Sequence, residues 1–238
     1  MKKMAIIIIS FAIIFISAFF LLIKWELGHR IYIDDFGEEG SSTDIKMLTG
    51  LLTEEDPTKN NDNVLKYAQI YNNIASDNSY AANRKIGYIE RVPITAKMIE
   101  LEALKFQAEG YVNVYTKAWE QLKIVTKENL YAKKYGIDCD EKAYAITTQT
   151  KNLMEEENNP AVLKYFNDLY NAFGMTKDEY WYKHTLALNK RLILHDEVDK
   201  YLKDNNLPLI DSENIDCKMT DDKYIEKINE ESYNGPVN

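Results

Sequence analysis

The stretch NPAVLKYFNDLYNAFGMTKDEYWYKHTLALNKRLILHDEVDKYL, residues 159–202, decides the fold class. Asn159 caps a helix that Pro160 opens, because proline's missing N–H has no partner to lose in the first turn. Val162, Leu163, Phe166, Leu169, Tyr170 and Phe173 recur at spacings of three and four, one apolar stripe of a helix. Gly174 stands where the chain must turn left-handed to leave that helix. Thr176 and Glu179 have the spacing of a capping box, so a second helix starts there. It runs through Tyr180, Trp181, Leu188, Leu192 and Val198 to about Leu202. The pair is an αα-hairpin, and the expected fold class is mainly α.

The rest of the chain carries similar signals. Asn61 to Ser76 has Val64, Leu65, Ala68, Tyr71 and Ile74 on one side of a helix. Lys85 to Val92 reads as a short strand or turn, with Ile86 and Tyr88 alternating with smaller or polar residues. Thr95 is a good N-cap for a helix interrupted at Gly110. Another helix runs from about Asn113 to Gly136, and Asp140 is read as the N-cap of the next, which closes at Glu155-Glu156-Glu157-Asn158. After Leu202 the chain turns polar, Pro208 breaks it, and Tyr224 to Ser232 makes one weak terminal helix. The expected organisation is therefore an anchor at 1–24 and a juxtamembrane connector with one or two helices at 25–80. A helical domain at 81–205 and a polar C-terminal tail at 206–238 follow.

The anchor rests on Met4 to Ile23, which contains no charge and only the hydroxyls of Ser10 and Ser17. That is about the 20 residues a helix needs to cross a bilayer core. A cleaved signal, the alternative, has a shorter apolar region and a small-x-small site at its end, whereas this run ends Phe19-Phe20-Leu21-Leu22-Ile23-Lys24. Lys2 and Lys3 before the run favour a cytoplasmic N-terminus and an extracytoplasmic body, though Lys24 and Arg30 weaken the asymmetry. The 238-residue chain has a formal net charge of −9, and those flanking lysines leave the body more acidic still. An acidic body argues against nucleic acid as a partner, since phosphate binding needs a basic face. The abundance of Asn, Lys and Ile is that of an AT-rich bacterial genome.

No pattern designates a catalytic, cofactor-binding or metal-binding residue. His184 and His195 are eleven positions apart, too far along a helix to share a metal, and His29 is alone. Asp34, Asp35, Glu38 and Glu39 lack the spacing of a calcium loop. Cys139 and Cys217 have no zinc spacing and no nucleophile signature; one disulfide, or a buried free thiol at Cys139, are both open. G-x-S-x-G and P-loop sequences are absent. Aromatic side chains stand out instead. Core is the default reading for Phe106, Trp119, Tyr165, Phe166, Tyr170, Phe173, Tyr180, Trp181 and Tyr182. Tyr180-Trp181-Tyr182 cannot all face one way on a helix that turns about 100° per residue, so at least one should be exposed. Trp119, Tyr180, Trp181 and Tyr182 are the candidate peptide-binding residues, because exposed aromatics on a charged body suit apolar segments of other chains.

The order of caps and apolar positions from about Lys85 to Leu202 resembles the SurA-type chaperone domain. Ile94-Thr95 before a helix is similar to that family's entry, although Arg91-Val92-Pro93 replaces its usual glycine. Lys133-Lys134-Tyr135-Gly136-Ile137 followed by Asp140-Glu141 resembles its mid-domain passage, and Phe173 to Trp181 resembles its Leu-Gly-Leu-Thr-…-Tyr-Trp passage. The resemblance implies a helical peptide-binding module of the kind found in SurA and the anchored PrsA foldases, with relatives in trigger factor. Many members add a parvulin prolyl-isomerase domain. No stretch here has the parvulin strand pattern with its paired histidines. The expectation is a membrane-anchored, extracytoplasmic, non-catalytic chaperone for unfolded or partly folded polypeptides. The alternative is an envelope assembly protein that uses the module for one dedicated partner, and a prolyl isomerase comes third.

Overall fold

In a computed structural model, residues 57–156 and 160–233 are described. Met4–Ile23, most of the expected connector, and the Asn159 cap lie outside the described residues. Among the described residues, no helix is long and apolar enough to cross a membrane. The chain divides between Val64 and Leu65, and the second unit starts at Leu65.

The architecture is mainly helical, as the sequence predicts, with a small antiparallel sheet. Helix α1 is Pro57–Ser76, followed by a single turn, α2, at Tyr80–Asn83. Strands β1 (Lys85–Ile89) and β2 (Val92–Thr95) form a hairpin. Its two loop residues, Glu90 and Arg91, both have positive φ, 48° and 66°, the handedness that matches strand twist. Helices α3 (Ala96–Ala108) and α4 (Val114–Tyr135) pack along one another behind the sheet. Ile86, Ile89, Ile94 and Ile99 are fully buried there with Phe106, Trp119 and Leu122. Helix α5 is Asp140–Glu156 and α6 is Pro160–Phe173. A turn at Lys177–Glu179 (α7), a π-helical segment at Tyr180–Thr185 and α8 (Leu186–Asp204) then follow without a break.

Most written caps hold. Thr95 accepts from the Met98 N–H, Gly136 and Gly174 are left-handed, and Thr176 and Glu179 complete a reciprocal capping box. One moves. Asp140 does not cap α5; it is the first helical residue, and its N–H donates to Asp138 Oδ1 at 2.8 Å. Two acids two residues apart offer the same chemistry, and the Asx turn selects the earlier one.

The expected polar tail is corrected. Residues 206–238 contain β3 (Cys217–Met219) and α9 (Asp222–Tyr233), both built into the unit. β3 pairs antiparallel with β1, giving the order β2-β1-β3. Ile215 and Tyr224 are buried in the same core as Trp119. Gly87 permits this: a Cβ there would stand 2.4 Å from the Lys218 carbonyl oxygen. Position 205 therefore does not bound the packed unit.

Polar contacts fix the helices against one another. Arg191 on α8 donates two hydrogen bonds to Glu102 on α3, at 3.0 and 2.9 Å. One turn on, His195 is hydrogen-bonded to Glu128 of α4, whose side chain is almost wholly buried. The apolar end of α8 carries Val198 and Leu202, which pack near Ala132.

Candidate functional site

The four candidate aromatics part company in the structure. Trp119 is 9% exposed and belongs to the core behind the sheet. Trp181 is 3% exposed. Its indole N–H donates to the Tyr170 hydroxyl at 3.0 Å, and its ring lies 5.7 Å from that of Phe166. A buried indole needs such a partner, and α6 supplies one. Neither tryptophan presents itself to a client, so the expectation for these two is corrected. Tyr180 is half-buried, with its ring against Tyr170, Phe173 and His184. Tyr182 points to a different neighbour. It stacks on Tyr144 of α5, with centroids 5.5 Å apart and planes at 22°. The three consecutive aromatics thus divide between two helices rather than between core and water.

Tyr144 is the residue sequence reading missed. It is 53% exposed and stands at the start of an open groove of about 460 Å³ on the outer face of α5. Thr148, Gln149, Asn152, Leu153 and Glu156 continue the lining. Leu153 is 44% exposed. Lys151 lies 5.4 Å from the centre of the Tyr182 ring and pairs with Glu155 at 3.2 Å, which also binds Lys177 at 2.9 Å. The surface therefore offers one stacked aromatic pair, one exposed leucine and exposed amides, with the Glu156 carboxylate at one end. The signal was present in the spacing Tyr144-Thr148-Asn152-Glu156, a stripe four residues apart with one aromatic on it.

His184 sits among the rings of Tyr71, Phe173 and Tyr180, at 4.9, 4.6 and 5.7 Å. Burial, with a smaller contribution from Lys105, pushes its pKa down to about 4, so it is neutral at pH 7. Burial acts against the charge on His195 too, but the Glu128 carboxylate outweighs it and raises the pKa. Cys139 and Cys217 are free thiols. Cys139 is buried, its Sγ donates to the Lys190 carbonyl at 3.6 Å, and burial pushes the thiol pKa up, the reverse of an activated nucleophile. Among the described residues, no group of histidine, cysteine and carboxylate side chains is placed to hold a metal ion.

A polar cluster where α3, α4 and α9 meet has a structural reading. Tyr115 and Tyr224 donate to Glu100 at 2.9 Å each, and Lys227 donates to it at 3.2 Å. Burial and that carboxylate push both phenols far above their ordinary range. The cluster ties α9 to the core.

No protein-family model, curated protein or solved structure matches the chain.

Proposed function

We propose that the chain is a membrane-anchored binder of unfolded or partly folded polypeptides, without a covalent step. Its N-terminus would lie in the cytoplasm and its helical unit outside. The reading is supported by the resemblance of Lys85–Leu202 to SurA-type domains. The observation that carries it is the α5 groove. There, Tyr144 braced by Tyr182 and the exposed Leu153 offer apolar purchase among side chains that stay solvated. A client would bury its apolar side chains on that surface reversibly. Glu156 and the amides along it keep the unoccupied surface solvated.

The test uses the full chain in lipid nanodiscs, with light scattering from several unrelated denatured proteins. Wild type is expected to delay their aggregation, and Tyr144→Ala with Leu153→Ser to lose most of that delay at an unchanged melting temperature. Trp181→Ala is the contrast. It should lower stability by about 3–5 kcal/mol, the cost of emptying a buried tryptophan site. The chain should not accelerate X–Pro isomerisation, which takes tens to hundreds of seconds uncatalysed. No effect of wild type on any client would remove the chaperone reading in favour of a dedicated envelope partner.

A further inference from the structure

A second groove, of about 430 Å³, lies between α1 and α6 and has different chemistry. Gln69, Asn72 and Asn73 of α1 face Asp168 and Asn171 of α6 across it. Positions 69, 72 and 73 share a helix face by their spacing of three and four. The two helices are held together by ring contacts: Tyr67 and Tyr71 meet Phe173 at 6.4 and 5.3 Å. The Asn72 amide is set by the turn that ends α6, since a Cβ at Gly174 would stand 2.6 Å from Asn72 Nδ2. Among the described residues, the side-chain amides of Gln69, Asn72, Asn73 and Asn171 make no hydrogen bond with one another or with a neighbour. Asp168 is engaged by Lys164 at 2.6 Å.

We infer that this groove binds polypeptide main chain, Gln69, Asn72, Asn73 and Asn171 pairing with peptide groups whatever the side chains between them. The inference rests on the reading of the chain as a polypeptide binder and supplies it with a second kind of contact. Each carboxamide carries an acceptor oxygen and two N–H donors, the same functions as a peptide group. An anion would find no cationic lining side chain, and a sugar would find no lining ring to stack on. Backbone pairing is independent of client sequence, which suits binding of many clients; the α5 groove would add apolar side-chain contact.

The test measures fluorescence anisotropy of two labelled twelve-residue peptides with the full chain in nanodiscs, against empty discs. One alternates leucine and serine; the other is identical but N-methylated at alternate peptide nitrogens, which removes N–H donors. The variant Gln69→Ala/Asn73→Ala/Asn171→Ala changes exposed positions only and spares Asn72, which packs on Gly174. Loss of several hydrogen bonds is expected to weaken binding about tenfold in the variant. N-methylation should weaken wild type by a similar factor and the variant little further, because both remove the same contacts. A variant that binds both peptides as wild type does would overturn the inference alone. So would N-methylation that weakens wild type and variant equally. If Tyr144→Ala weakens binding while the amide variant does not, the polypeptide reading stands and this groove plays no part in it. Binding of an N-acetylglucosamine oligomer that the amide variant loses, with peptide binding unaffected, would make the groove a glycan site and refute the proposal. If wild type binds neither peptide, both readings fail.

Discussion

Replacing Glu231 with alanine tests whether the C-terminal helix is part of the fold. Helix α4 begins after Asn113, whose side chain makes no capping bond. Its first turn is capped from α9 instead. The Glu231 carboxylate accepts from the Tyr115 N–H at 2.9 Å, the Thr116 N–H at 2.8 Å and the Thr116 hydroxyl at 3.0 Å. Loss of a side-chain cap costs about 1 kcal/mol, and removing a negative charge from a helix N-terminus costs about 0.3–1 kcal/mol more. With the hydroxyl bond included, Glu231→Ala should destabilise by about 2 kcal/mol. For a domain of this size that is a fall of about 4–8 °C in melting temperature. Glu231→Gln keeps an acceptor but not the charge and should fall between alanine and wild type. Thermal melts followed by circular dichroism give the stability, and amide hydrogen exchange at Tyr115 and Thr116 gives the location. A melting temperature within about 1 °C of wild type for the alanine variant, with both amides still protected, would refute the capping argument.

Two further outcomes follow from geometry and charge. Gly87→Ala places a methyl 2.4 Å from the Lys218 carbonyl oxygen and 3.0 Å from Met219 Cα, so β3 must shift; a loss of about 3 kcal/mol in urea denaturation is expected, and no loss would mean β1 and β3 do not pair this closely. The two histidines of the π segment and α8 respond to pH in opposite senses. His184, held down to about 4, leaves the unfolded chain the better proton acceptor below its ordinary 6.5, so stability falls as pH drops from about 6.5 to 4 and His184→Phe should flatten that slope. His195, raised by Glu128 against its burial, contributes fully below its unfolded pKa and loses that contribution as pH rises through the folded value, so His195→Gln should lessen the loss on the alkaline side. Urea titrations across this pH range check both, and unchanged slopes in the variants would contradict the assignments.

Local signals were legible and distant ones were not. Thr95, Gly136, Gly174 and the Thr176–Glu179 box act within four residues of themselves, so their meaning is written beside them. Cys217-Lys218-Met219 is three residues long and carries a lysine, too little for a strand signature; it becomes a strand because β1 has a free edge beside Gly87. The Asn113 position looked like an ordinary helix start, yet its cap lies on Glu231, and nothing local announces that. Tyr180, Trp181 and Tyr182 do point in different directions, but none of the three is exposed, against the expectation that at least one would be. Helix geometry alone does not foresee that Tyr182 meets another aromatic, Tyr144, because that depends on where α5 is placed. The burial of Trp181 depended likewise on the Tyr170 hydroxyl, eleven positions earlier on another helix.

The closing strand also sets a schedule. Thr220 donates to the Ile86 carbonyl, 134 positions earlier in the chain. At a synthesis rate of about 5–20 residues per second, the hairpin waits roughly 7–27 s before its third strand exists. Through that interval β1 has an unpaired edge, and the isoleucine core lacks Ile215 and Tyr224. While it is being made, the chain exposes the kind of surface we propose it to cover in others.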